Sequence, residues 1–197
     1  MPIWLALVGA YVVGSVDFAV VVARSRGVDI HSVGSGNPGT SNVLRTMGRG
    51  PAAMVLVGDM LKGVIAASFG WIAAGGDPAN QPMVYLAGLL VVLGHAFPVF
   101  HRFRGGKGVA TGGGVLVFAI PVAALILAAA WLLVAKVLKI ASIASLVGVA
   151  GAIPLAYAFG AQGWSLFWLG AILVLIIWRH RPNIQRMLQG SEQKVPT

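Results

Sequence analysis

The sequence predicts an all-α integral membrane protein, a polytopic bundle of about seven transmembrane helices. Three observations carry that prediction. The 197-residue chain is 58% hydrophobic and only 10% charged, with a mean hydropathy of +0.88, which a soluble domain of this size does not reach. Several apolar runs approach the ~20 residues that cross a bilayer. The loops between them are either basic or free of cations, the asymmetry that cytoplasmic loops impose.

The apolar runs cover roughly 2–23, 51–74, 82–100, 109–135, 142–160 and 163–178. The first is too long for the core of a cleaved leader and has no basic residue before it, so residues 1–23 are expected to span the membrane. Basic loops at 24–50, 101–108, 136–141 and 179–197 hold every Lys and Arg except Lys62. The loops GGDPANQ (75–81) and GAQG (160–163) hold none. With the basic loops cytoplasmic, segment 109–135 has both ends on one side, which a single helix cannot satisfy. Pro121 lies near its middle and breaks a helix there. The expected result is two short helices, about 109–120 and 122–137, forming a hairpin through the membrane. That gives seven helices, with the N-terminus outside and the C-terminus cytoplasmic; one unbroken helix would give six. Residues 1–190 form a single transmembrane domain, and 191–197 a tail expected to fray.

The formal charge of +9 follows from this topology and calls for no nucleic-acid partner. Cysteine is absent, which removes disulfides, thiolate catalysis and Cys-ligated metals. One Glu and four Asp leave no carboxylate pair for glycosidase chemistry and no acidic cluster for two metals.

Four polar islands remain. In VGSGNPGTSNVLRTMGRG (33–50) glycines let backbone N–H groups form an anion-binding nest. Ser35, Asn37, Thr40, Ser41 and Asn42 add neutral donors, and Arg45 a charged fork. FRGGKGVATGGG (103–114) is no Walker A loop, because Gly108 follows Lys107. It places Arg104, Lys107 and bare backbone at a helix N-terminus, a combination that suits phosphate. KIASIAS carries Ser142 and Ser145 on one face near a helix start, where capping alone accounts for one serine. WRHRPNIQRMLQGSE (178–192) puts His180 and Asn183 on one turn, near Arg181 and Arg186. Within the apolar runs, Asp59 and Lys62 stand at i,i+3 and can pair; Lys62 is expected to point to a substrate anion while Asp59 holds it. His95, alone on an apolar helix, reads more readily as a packing residue than as a ligand or base. Asp17 has no partner evident in the local sequence.

Taken together, GSGNPGTSNVLR (34–45), DMLKG (59–63), GHAFPVFHRFRGGKGVAT (94–111), SIAS (142–145) and RHRPNIQRMLQGSE (179–192) resemble the bacterial membrane acyl-phosphate:glycerol-3-phosphate acyltransferases of the PlsY type, over nearly the whole chain. The resemblance implies transfer of a fatty acyl group from acyl phosphate to the 1-hydroxyl of sn-glycerol 3-phosphate, giving lysophosphatidic acid and inorganic phosphate. It implies a multi-pass enzyme of the bacterial plasma membrane with a cytoplasmic active site, among membrane lipids, needing neither metal nor cofactor nor an obligate protein partner. Carried onto this sequence, Ser35, Lys107, His180 and Asn183 are the catalytic candidates. Ser35, Gly36, Asn37, Arg45, Arg104, Gly105, Gly106, Lys107 and Ser142 would bind phosphate, supported by Asn42, Asp59, Lys62, His95, Thr111 and Ser145. The base is left open between His180, a phosphate oxygen of the donor, and a covalent acyl-Ser35. The sequence departs from the family at Thr40-Ser41, usually Ala-Thr, at Arg104, usually Lys, and at Asp17, usually Pro. The competing class is a transporter of a phosphate-bearing solute, with Asp17 as its midplane group.

Overall fold

The computed structural model describes residues 1–196. Helices account for all its regular structure, and no strand occurs among the described residues. The first apolar run is two helices, α1 (Ile3–Gly14) and α2 (Phe18–Arg24). Asp17 causes the restart: its Oδ1 accepts the Val20 amide at 3.1 Å, filling one of the amides a helix start leaves unpaired. The partner of Oδ1 is therefore local backbone, which a search for a countercharge does not find, and Oδ2 is buried without a partner among the described residues.

A short helix, α3 (Thr40–Met47), precedes the long α4 (Arg49–Ala74). Then follow α5 (Pro82–Ala96), α6 (Val109–Ala119) and α7 (Pro121–Leu138). The break expected at Pro121 is there: α6 ends at Ala119, and Pro121 opens α7, where a missing N–H is harmless. The chain closes with α8 (Ala141–Ala158), α9 (Gly163–Arg179) and α10 (Arg181–Leu188). Among the described residues five helical segments are long and apolar enough to cross a membrane, and six when the α9–α10 pair, bent by 51°, is counted as one span.

At the centre stands α4, packed on α1, α5 and α6, while α5 also packs on α1 and α9, and α7 pairs with α8. Backbones touch where α4 crosses α6: a Cβ at Gly63 would collide with the Thr111 carbonyl, and one at Gly114 with the Met60 carbonyl. Lipid-facing helices pack in this way, by close van der Waals approach over small residues. The outer faces stay apolar, with Leu125 70% and Val174 68% exposed.

The two kinds of loop separate in space. Gln162 donates its amide to Asn80 Oδ1 at 2.9 Å, joining the two cation-free loops. The basic loops meet at the other end. There a second, smaller core of Val20, Ile30, Val43 and Val55 sits between α2, α3 and α4 and holds the 25–39 loop in place. The tail does not fray, contrary to expectation. The Val195 amide donates to the Lys139 carbonyl at 2.8 Å, Val195 is buried, and Glu192 makes the contacts described below. Thr197 lies outside the described residues.

Candidate active site

A cavity of about 640 Å³ opens where the basic loops converge. Ser35, Gly36, Asn37, Arg104, Gly105, Lys107 and Asn183 line it, together with Arg179, Arg181 and Arg186. Among the described residues no carboxylate is part of this lining.

The first wall is the Ser35–Asn37 turn. Asn42, the supporting residue of α3, is buried beneath it and shapes it. Its Oδ1 accepts the Ser35 amide at 2.9 Å, and its Nδ2 donates to the Val33 carbonyl at 3.0 Å. One helical turn on, Arg45 donates from Nη2 to Ser35 Oγ at 3.3 Å. Its Nε is buried without a partner, and burial lowers its pKa.

The second wall is the glycine loop between α5 and α6, and its glycines do less for phosphate than their number suggests. A Cβ on Gly105 would strike the His95 carbonyl; one on Gly106 would strike the His95 ring and the Pro38 carbonyl. The Gly106 amide donates to the His95 carbonyl at 3.0 Å, one of the orphan carbonyls of a helix end. The carbonyls of Gly105 and Gly106 accept from Arg179, Nη2 at 2.6 Å and Nε at 3.0 Å. This guanidinium also lies over the Phe97 and Trp178 rings, 5.4 and 5.9 Å from their centroids. What the loop gives the cavity is Lys107, just before the N-terminus of α6. Burial pushes the Lys107 ammonium down to about 8; Glu192 opposes the shift, while Arg186, Arg45 and Arg179 add to it.

The third wall is α10, with Asn183 and Arg186 in the lining, and the tail braces it from behind. Glu192 accepts from Asn183 Nδ2 at 2.5 Å, Ser142 Oγ at 2.8 Å and Arg186 Nε at 2.7 Å. Burial alone would raise its pKa, but these bonds and the Arg186 charge outweigh it and hold the carboxyl below the usual range. Asn183 Oδ1 is left buried without a partner. His180, beyond the last residue of α9, is buried; its Nδ1 lies 2.8 Å from the Ile176 carbonyl. A carbonyl only accepts, so Nδ1 carries the proton. Burial pushes this imidazole down to about 4.

Several sequence candidates sit away from the cavity. The Ser142 hydroxyl is bonded to Glu192, so it reaches the cavity wall through that carboxylate. Ser145 accepts from Trp131 Nε1 at 3.1 Å and donates to the Ala141 carbonyl at 2.9 Å, joining α7 to α8. Thr111 is fully buried, and its hydroxyl has no partner among the described residues. Lys62 does not point to a substrate anion. Its Nζ reaches Asp59 Oδ1 at 2.8 Å, His95 Nδ1 at 2.8 Å and the Val16 carbonyl at 3.0 Å. Two of these are hydrogen bonds, to His95 and Val16, and the third is the ion pair with Asp59, so the ammonium is engaged inside the bundle. The sequence reading missed two residues, Arg179 and Glu192. Arg179 reads as one more topogenic cation; the signal for Glu192 is that it is the single Glu of the chain.

The sequence and the fold are similar to those of known proteins. Residues 4–190 match the family described as glycerol-3-phosphate acyltransferase. A protein of that name from Burkholderia pseudomallei strain K96243 is 44% identical over 199 residues, covering 99% of this chain and 96% of the relative. The one from Cupriavidus necator is 43% identical over 195 residues, covering 97% and 95%. Among solved structures, PlsY, an integral membrane glycerol 3-phosphate acyltransferase, superposes in its glycerol 3-phosphate form with a TM-score of 0.92 at 37% identity, over 99% of this chain and 96% of that one. Its lysophosphatidic acid form gives 0.90. The chain belongs to the glycerol-3-phosphate acyltransferase family of integral membrane enzymes.

Proposed function

We propose that the chain transfers a fatty acyl group from acyl phosphate to the 1-hydroxyl of sn-glycerol 3-phosphate, at the cytoplasmic face of the bacterial plasma membrane. One observation carries this reading: a cavity lined by Lys107, Arg104, Arg179, Arg181 and Arg186, with no carboxylate among its described lining residues, at the end of an apolar bundle. Such a chamber attracts anions and suits two phosphates, with the lipid tail along the bundle's apolar faces.

Lys107 and Arg45 hold phosphate by charge, and the Ser35–Asn37 turn adds neutral donors. Asn183 Oδ1 accepts from the glycerol hydroxyl and orients it; that this oxygen is buried and unpartnered supports the role. In the chemical step the hydroxyl oxygen attacks the acyl carbon. The bond from that carbon to the phosphate oxygen breaks, and the electron pair leaves with the phosphate, which also takes the hydroxyl proton. Phosphate is favoured as the base over His180, whose Nδ1 is engaged by the Ile176 carbonyl and whose imidazole is pushed down to about 4 by burial. A covalent acyl-Ser35 has less support: the side-chain partner of the Ser35 hydroxyl is Arg45, a guanidinium that cannot take its proton. Transport has less support: Asp17 Oδ1 caps a helix, which leaves only its buried Oδ2 without a partner.

Seven crossings, with the N-terminus outside, accord with the placement of the loops. Segment 109–138 begins at the cavity and ends beside the tail, while α6 reaches the cation-free loop at Pro78–Asn80. A helix of 11 residues is about 16 Å long, so its crossing lies within the bundle. The transmembrane domain ends near 190, and the tail braces the cavity wall through the bonds of Glu192 to Asn183 and Arg186.

The test is phosphate release by the purified protein in lipid, with palmitoyl phosphate and glycerol 3-phosphate, and palmitoyl-CoA as donor in parallel. Release that requires glycerol 3-phosphate and yields lysophosphatidic acid is the expected result. Turnover with palmitoyl-CoA alone would overturn the donor; silence with both in a folded sample would overturn the reaction.

A further inference from the structure

The most costly groups in the molecule are ones the chemistry above does not use. Asp59, Lys62 and His95 are buried within the bundle, with side chains 3%, 2% and 5% exposed. Ionisable groups at such depth are expensive and are kept for a function. A buried ion pair replaced by apolar residues of similar size often costs a fold nothing, so stability alone does not explain this one.

The connections of the set show where it acts. Lys62 donates to His95 Nδ1, so that nitrogen is the acceptor and the ring carries its proton on Nε2. That edge of the ring abuts Gly106, and the His95 carbonyl takes the Gly106 amide. One residue therefore holds this glycine by a hydrogen bond and packs its ring against it, leaving no room for a side chain. From the opposite side Arg179 holds the carbonyls of Gly105 and Gly106. The next residue is Lys107.

We propose that Asp59, Lys62 and His95 are positioning residues that, with Arg179, clamp the Gly105–Gly106 peptide and thereby set where the Lys107 ammonium stands for substrate phosphate. Asp59 holds Lys62, Lys62 fixes the His95 ring, and His95 fixes the loop. No member of the set touches substrate. The inference rests on the phosphate-binding role given to Lys107 above.

The test uses the full chain in detergent or lipid. Lys62→Met alone would leave Asp59 buried without its countercharge, so the informative variant is Asp59→Leu/Lys62→Met, which removes both charges. His95→Leu breaks the link to the loop, and His95→Asn keeps an acceptor oxygen for Lys62. Tyr85→Phe is the control. It deletes a buried hydrogen bond, to the Ala79 carbonyl at 2.8 Å, beside the cation-free loop and away from the cavity.

Two readouts are taken on monodisperse protein. One is KM for glycerol 3-phosphate against kcat. The other is the pH dependence of Lys107 labelling by an amine-reactive reagent, which needs no turnover. Arg45, Arg179, Arg186, His180 and Glu192 surround Lys107, and none of them is altered. In the double variant and in His95→Leu, KM rises roughly tenfold or more, as ångström misplacements do. The Lys107 midpoint moves from about 8 toward the ordinary 10.5 as the loop loosens into solvent. His95→Asn retains most of both properties, and Tyr85→Phe changes neither. Wild-type KM and labelling midpoint in the double variant would overturn the clamp, as would the same change in Tyr85→Phe. Should the wild-type protein transfer no acyl group, the reaction falls, while the labelling still decides the clamp.

Discussion

Lys62 and Lys107 each have a histidine and a carboxylate for neighbours, and the molecule treats them in opposite ways. Lys62 sits among three acceptors, Asp59, His95 and the Val16 carbonyl, all within 3.0 Å. Lys107 has no ion pair among the described residues. It faces Arg45, Arg179 and Arg186, and the nearby carboxylate, Glu192, is already bonded to Asn183, Ser142 and Arg186. A charge whose partners are all supplied by the fold can only hold the fold. A charge pressed among other cations and half stripped of water is left to be satisfied by an anion from outside. The same residue types thus become architecture at one depth and a binding site at another, and the difference lies in what surrounds them.

The comparison breaks most visibly if Lys107 is replaced. Lys107→Met should lower kcat/KM for glycerol 3-phosphate by about 10²–10³, the usual cost of losing one positioned charge at a reacting centre, with the protein still folded. Phosphate release with saturating palmitoyl phosphate measures it. A fall below tenfold would mean that Lys107 is as much architecture as Lys62.

The next effect is one of pH. An amine pushed down to about 8 is charged below that value and neutral above it. The kcat/KM for glycerol 3-phosphate should therefore drop toward tenfold per pH unit above pH 8. Bound phosphate favours the ammonium, so at saturating substrate the limb in kcat should lie at higher pH. A profile flat to pH 10 would remove Lys107 from binding. Smaller again is Arg45→Lys, which keeps a charge and loses the fork that reaches Ser35. A loss of roughly tenfold in kcat/KM, appearing mainly as a higher KM, would fit phosphate contact; no loss would confine Arg45 to the Ser35 turn.

The sequence made some of this legible and hid the rest for physical reasons. The apolar runs, the break at Pro121 and the gathering of basic loops at one end could be read because each is written locally, in hydropathy, in a ring that bars a helix hydrogen bond, and in charge. Ser35, Lys107 and Asn183 could be located because polar residues in an oily chain are conspicuous. The partners could not. That Arg179 holds two glycine carbonyls of another loop, or that His95 stands between Lys62 and Gly106, depends on helix packing that no spacing records. The glycines of 103–114 misled for a related reason. A missing side chain marks close approach without saying whether phosphate or another piece of backbone is what approaches. The tail misled because a short polar end ordinarily frays, and a single carboxylate among cations overrode that tendency.

That carboxylate gives the last and smallest test of the contrast, since Glu192 belongs to both categories: it holds the tail in place and screens Lys107. Its charge-assisted bonds to Asn183, Ser142 and Arg186 are partly open to solvent, so their net contribution is about 1–2 kcal/mol rather than the full value of three such bonds. Glu192→Gln should lower Tm by about 2–8 °C at pH 7. The sign of the pH dependence follows from the depressed carboxyl. The stabilisation is complete above the ordinary carboxylate value of 4.5 and disappears as pH falls through the lower folded value. Thermal unfolding of both proteins from pH 7 to pH 3 should show the gap between them closing at the acid end. A gap that stays constant with pH would assign the tail's attachment to Val195 and its backbone bond instead, leaving Glu192 purely a neighbour of the binding site. A gap that closes would make it, like Arg179, a charge that serves both the fold and the site.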